Sequence, residues 1–202
     1  MNDKTKPDYS ILDRPEVLQF LFHPRPELAP SGFQATDSAG LNPDEKDILI
    51  PVEGEVQIGA RFHMAEKSAA NILFFHGNGE IVADYDALGP VYNQINTNFI
   101  AVDYRGYGRS NGKPTVTAMM RDCHVIFEFV QNWLKQNQFA GPIILMGRSL
   151  GSASVLELAA TCGDSVDGLI VESGFAYAAP WLRVMGIDLE ALGFKEESGF
   201  GN

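Results

Sequence analysis

Two cysteines in 202 residues are too few for a disulfide framework or a thiolate-rich metal site. Cys123 and Cys162 each fall within or at the end of an apolar helical pattern, where a thiol serves as a small hydrophobe. Basic residues are also scarce: 15 Lys and Arg against 26 Asp and Glu leave a formal net charge of −11. Such a surface disfavours nucleic acid and anionic membrane as partners, because both need a basic footprint. No run approaches the ~20 apolar residues of a membrane span. The first twenty residues contain neither an apolar h-region nor a small-residue cleavage site. The expectation is a soluble, reducing compartment, the cytoplasm. No His/Cys/Asp cluster has ligand spacing, and no glycine loop ends in Gly-Lys-Ser/Thr, so neither a metal nor a cofactor is implied.

What is present is a globular composition, 45% apolar and 20% charged, enough for one domain with a substantial core. Residues 1–45 carry six of the eleven prolines and read as an irregular lead-in packed on a domain over 46–202, with one short helix near 14–22. KDILIPVEGEVQIGARFHM (46–64) alternates apolar and polar residues around Glu53-Gly54, the pattern of a β-hairpin. Short apolar runs follow at 70–77, 98–106, 141–147 and 167–174, each ending in glycine as a buried parallel strand does. Helical patterns at 83–95, 115–137 and 150–161 separate them. In the longest, Met120, Cys123, Phe127, Val130 and Leu134 form one apolar stripe. Strands alternating with helices predict an α/β fold, a mostly parallel sheet with helices on both faces.

In such sheets ligands bind beyond the carboxyl ends of the strands, and three of those ends carry unusual loops. Gly147-Arg148-Ser149-Leu150-Gly151 joins a strand to a helix in the G-x-S-x-G spacing of a nucleophile elbow. A turn that tight holds the serine in a strained conformation, and side chains at either glycine would collide with backbone. It exposes the Ser149 hydroxyl and points the Leu150 amide at a developing oxyanion, with the helix dipole assisting. His76-Gly77-Asn78-Gly79 follows the strand at 70–75, where the Asn78 N–H is the expected second oxyanion donor and Gly77 a substrate contact. The His76 imidazole is expected to brace the loop through backbone hydrogen bonds. Asp103-Tyr104-Arg105-Gly106-Tyr107-Gly108-Arg109-Ser110 makes a sharp turn that an Asp103–Arg105 pair would fix. Alternatively, Tyr107 or Arg109 lines the substrate pocket.

The combination HGNG, DYRGYGRSNGKPT and GRSLG, at these separations, resembles the α/β-hydrolase superfamily. The likeness is to small-lid serine hydrolases grouped with protein depalmitoylases and related bacterial esterases and peptidase-like enzymes. It covers residues 46–175, with FHPRP (22–26) a weaker echo upstream. The resemblance implies Ser149 as nucleophile, Leu150 and Asn78 as oxyanion donors, and acyl transfer to water through an acyl-enzyme.

One half of that machinery is not found. The superfamily orders its triad Ser, acid, His along the chain, yet His23, His63, His76 and His124 all precede Ser149, and none of the 53 residues after it is histidine. Asp164 and Asp167 sit at the wrong end of their strand, and Asp188 lies in a helical excursion. Glu172 ends its strand at the right place, either as a structural residue or at the pocket rim. The expectation is a sheet lacking its last two strands, in a chain that stops before the acid and base. Three readings stay open: a serine hydrolase of an ester, thioester or amide; a non-catalytic binding module on the same fold; and an unconventional base, His76 or His124. Residues 177–194 either cap an acyl pocket or form a core helix. A small-molecule or acyl substrate is the expected partner, and the oligomeric state is not legible.

Overall fold

A computed structural model of the chain describes residues 8–28, 45–175, 182–184 and 186. Among these, six strands form one sheet: β1 (Glu45–Glu53), β2 (Val56–His63), β3 (Ala70–Phe75), β4 (Thr97–Val102), β5 (Ile143–Arg148) and β6 (Gly168–Glu172). The spatial order is β1-β2-β4-β3-β5-β6. β1 and β2 are the expected hairpin, closed by a two-residue turn in which Gly54 takes a positive φ of 51°. β2 runs antiparallel to β4, while β4, β3, β5 and β6 are mutually parallel.

Because strand side chains alternate, the central strands are apolar on both faces. Leu73, Phe75, Ile100, Val102 and Leu145 point into the larger core, beneath α1 (Pro15–Leu21), α3 (Val116–Gln136) and α4 (Gly151–Cys162). Ile72, Phe74, Phe99, Ala101 and Met146 form a smaller core on the other face, covered by Tyr85 and by Leu88 and Tyr92 of α2 (Leu88–Gln94). The stripe on α3 is buried as its period requires, from Met120 through Cys123, Phe127 and Val130 to Leu134. Its first turn is capped twice. Thr115 Oγ1 accepts from Ala118 N–H at 3.0 Å, and Asp13 Oδ1 accepts from Val116 N–H at 2.7 Å and Thr117 N–H at 3.1 Å. The amino-terminal segment is thus tied to the domain by a cap as well as by buried Leu12, Val17, Leu21 and Phe22.

The helix expected over 83–95 is divided. Val82–Tyr85 form a 3-10 turn, and α2 begins only at Leu88. Pro90 explains the break: it has no N–H to donate and fits only the first turn of a helix, so α2 starts just before it. At the far side of the sheet, Leu169, Ile170 and Val171 of β6 are each about two-fifths exposed, and among the described residues β6 is the last strand. Asp188 and most of 177–194 lie outside the described residues; of that segment, Leu182 is buried in the larger core.

Candidate active site

The carboxyl ends of β3 and β5 meet at one point. Phe75 pairs with Gly147, and α4 begins directly against the end of β3. Gly151 makes that approach feasible, since a Cβ there would stand 2.0 Å from the Phe75 carbonyl oxygen and 2.9 Å from that of His76. At Gly147 a Cβ would come within 2.5 Å of the Gly151 carbonyl oxygen. Both glycines of the motif therefore answer to close backbone packing, as the spacing suggested. Between them Ser149 has φ +49°, a left-handed conformation unusual for a residue with a side chain. Main-chain bonds hold it there. Ser149 N–H donates to the Glu172 carbonyl at 2.9 Å, and the Ser149 carbonyl accepts from Ser152 N–H at 3.0 Å and Ser152 Oγ at 2.6 Å. Among the described residues no histidine hydrogen-bonds the Ser149 hydroxyl, and neither the Leu150 nor the Asn78 N–H donates to a protein acceptor.

His76 is fully buried, with Nδ1 2.8 Å from the Gly77 carbonyl and Nε2 3.2 Å from Asp103 Oδ1. It braces the loop, and both ring nitrogens are engaged, so it is not a base for Ser149. His124 is also elsewhere: Nε2 lies 3.1 Å from Glu157 Oε1, six residues or about 9 Å of helix rise beyond the start of α4. His63 packs on Phe99, near the amino end of β4. Asp167 accepts from Ile143 N–H at the start of β5, the opposite end of the sheet from Ser149.

Several expected contacts are corrected. Asp103 and Arg105 do not pair with each other. Asp103 turns inward, accepting from Val82 N–H at 2.9 Å and lying against His76. Arg105 instead grips Asp122 of α3 through two bonds, 2.6 and 2.8 Å, and also reaches Glu53 at 3.1 Å. Tyr107 does not line a pocket. It is fully buried, and its hydroxyl donates to Asn78 Oδ1 at 2.7 Å and accepts from His23 N–H at 2.7 Å. Burial pushes this phenol up to about 12, so it stays a donor at neutral pH. Arg109 is held by Glu27 at 2.8 Å and by Asp47. The Gly77 N–H is committed to Glu80 Oε2 at 2.7 Å and so is closed to a substrate. Glu172 stands at the end of β6 with Oε1 accepting from Arg148 Nε at 3.1 Å.

Two partners of the loop were not singled out from the sequence. His23 and Arg25, in the FHPRP segment, strap the glycine loop. His23 N–H donates to Asn78 Oδ1 at 2.8 Å, Asn78 Nδ2 lies 2.7 Å from His23 Nδ1, and Arg25 Nε donates to the Gly79 carbonyl at 2.8 Å. Since Asn78 Oδ1 already accepts two donors, its amide nitrogen must donate, and the His23 Nδ1 must accept. The strap continues as a parallel bridge from Pro26 to Gly108. The second is Glu80, whose carboxylate joins Gly77, Tyr85 and Arg148. Its signal in the sequence was an acid one residue beyond the glycine loop, facing a cationic residue inside the elbow. Among the described residues, no three His, Cys, Asp or Glu side chains converge as a metal ion would require, and no helix is long and apolar enough to cross a membrane.

Comparison with known proteins agrees with this architecture. A family model described as serine aminopeptidase, S33, matches residues 66–191. The chain is 28% identical over 110 residues to protein bem46 of Schizosaccharomyces pombe, a match covering 54% of this chain and 36% of that protein. It is 32% identical over 109 residues to the lysophosphatidylserine lipase ABHD12 of Danio rerio, covering 52% of this chain and 28% of the lipase. A solved structure, a predicted CIB-like hydrolase from Thermoplasma acidophilum, superposes with a TM-score of 0.51 at 29% identity, covering 64% of this chain and 63% of that one. The chain thus spans well under half the length of both curated relatives.

Proposed function

The chain belongs to the serine aminopeptidase S33 family of α/β hydrolases, and from that premise we propose that it is a serine hydrolase of an ester, thioester or amide, acting through an acyl-enzyme at Ser149. The observation that carries the reading is the elbow itself. Ser149 is held at φ +49° where β5 meets α4, beside the end of β3, while among the described residues the amides of Leu150 and Asn78 have no protein acceptor. One idle donor at a helix start and another in the loop after β3, next to a strained serine, are what a developing oxyanion needs.

In this scheme the Ser149 oxygen attacks the carbonyl carbon, and the hydroxyl proton passes to a base. The carbonyl oxygen takes up negative charge against the Leu150 and Asn78 N–H groups. The bond to the leaving group then breaks as that group receives the proton, leaving an ester on Ser149. Water repeats the sequence and releases the acid. His76 and His124 hydrogen-bond elsewhere, so neither is that base. Glu172, bound to Arg148, sits at the rim of the site rather than orienting an imidazole.

The test is turnover of p-nitrophenyl butyrate by the complete gene product, with trapping of the acyl-enzyme. Saturable hydrolysis, with an acyl group mapped to Ser149 and lost in Ser149→Ala, supports the reading. A second reading is kept by one observation, that no described histidine bonds the Ser149 hydroxyl: the fold serves as a binding module without turnover. Complete gene product that never acylates would decide for it.

A further inference from the structure

Glu80 stands one residue past the glycine loop, and its carboxylate is used three ways. Oε2 accepts from Gly77 N–H at 2.7 Å and from the Tyr85 hydroxyl at 2.6 Å, while Oε1 pairs with the Arg148 guanidinium. Gly77 is shaped to it, because a Cβ at that position would stand 2.8 Å from Oε2. Arg148 directly precedes Ser149. Its Nε reaches Glu172 Oε1 at 3.1 Å, and the Glu172 carbonyl in turn accepts Ser149 N–H at 2.9 Å. One carboxylate therefore fastens the loop carrying the Asn78 amide to the turn carrying the Leu150 amide.

Both ends of this ion pair are partly exposed, about a quarter for Glu80 and two-fifths for Arg148. Pairs in such settings add little to stability, so a tether between two loops is better explained by the geometry it imposes. Charge points the same way. An anion five residues past the end of β3 opposes the oxyanion that the same loop has to stabilise, unless a cation neutralises it. Arg148 is that cation.

We propose that Glu80 is a positioning residue for the hydrolysis: paired with Arg148, it sets the spacing of the Asn78 and Leu150 donors, and Arg148 cancels its charge beside the oxyanion. The proposal rests on the reading of Ser149 as nucleophile. It predicts an unequal pattern. Arg148→Met leaves the Glu80 anion uncompensated, whereas Glu80→Gln loses the tether but removes the charge and keeps an oxygen for Gly77.

The experiment measures kcat and KM for p-nitrophenyl butyrate in the complete gene product, together with Tm, for the unsubstituted protein, Glu80→Gln, Arg148→Met and the double variant. The expected result is a fall in kcat of about 10- to 100-fold in Arg148→Met with KM changed less than about threefold, since oxyanion donors act in the transition state. Glu80→Gln should lose less, and the double variant should recover kcat above that of Arg148→Met. Equal kcat in all four proteins, or losses that add in the double variant and follow Tm, would overturn the positioning role while Ser149 acylation stands. If the unsubstituted protein fails to acylate at Ser149, the nucleophile reading falls and the positioning role falls with it.

Discussion

Replacing Ser149 by glycine should make the protein more stable, and replacing it by alanine should not. The reason is the backbone. At φ +49° the residue is left-handed, which costs a residue bearing a Cβ about 1–2 kcal/mol. Glycine escapes that strain but loses about 0.5–1 kcal/mol more conformational entropy on folding. The bonds that hold the position are all to its main chain: N–H to Glu172, and the carbonyl to Ser152. They survive either substitution. The balance favours Ser149→Gly over the natural residue by about 0.5–1 kcal/mol. It favours Gly over Ala by a similar amount, reversing the order found at ordinary positions. For a chain of this size that is about 1–4 °C in Tm. The assay is paired calorimetry and urea unfolding of the three proteins in one buffer. If Ser149→Ala proves as stable as Ser149→Gly, the turn is not strained at the serine, and the argument from its geometry fails.

Asp122→Ala removes the main partner of an arginine with little solvent around it; Arg105 keeps Glu53, so the loss should be about 3 kcal/mol, the low end for breaking a buried pair, read as a lower urea midpoint. Burial works to raise the Asp47 carboxyl, but hydrogen bonds from Arg61 and Arg109 outweigh it and hold it below the ordinary carboxylate range. A depressed carboxyl stabilises the fold above its unfolded pKa of about 3.9 and loses that contribution as pH falls through the lower folded value. Tm of the unsubstituted protein should therefore drop more steeply below about pH 4 than that of Asp47→Asn. His23→Ala removes the acceptor for the Asn78 amide. In the complete gene product kcat should fall about fivefold, the worth of roughly one hydrogen bond, and His23→Asn, which restores an acceptor at the δ position, should recover most of it.

The strands, α3 and α4 were legible because each obeys a local rule: apolar runs ending in glycine, or an apolar stripe at helical spacing. The elbow was legible for the same reason, since its two glycines are demanded by neighbours only a few residues away. Partners distant in the chain were not. Asp103 and Arg105 look like a pair two residues apart, but the turn sends Asp103 to His76 and Val82 and Arg105 to the buried Asp122 of α3. Tyr107 looked like a pocket residue, because an aromatic flanked by glycines in a loop reads as exposed; the loop instead folds over it, and its hydroxyl holds Asn78. The strap through His23 and Arg25 spans more than fifty residues of sequence, and no periodicity announces such a contact. Pro90 was a local signal visible in the sequence, and in the structure it prevails over the apolar spacing that suggested one helix across 83–95.

The most direct measurement is fluorophosphonate labelling of the complete gene product, followed by peptide mass spectrometry. The account predicts a single phosphonylated residue, Ser149, with labelling lost in Ser149→Ala and blocked by prior acylation. Labelling at another residue, or none at Ser149 in folded protein, would contradict it.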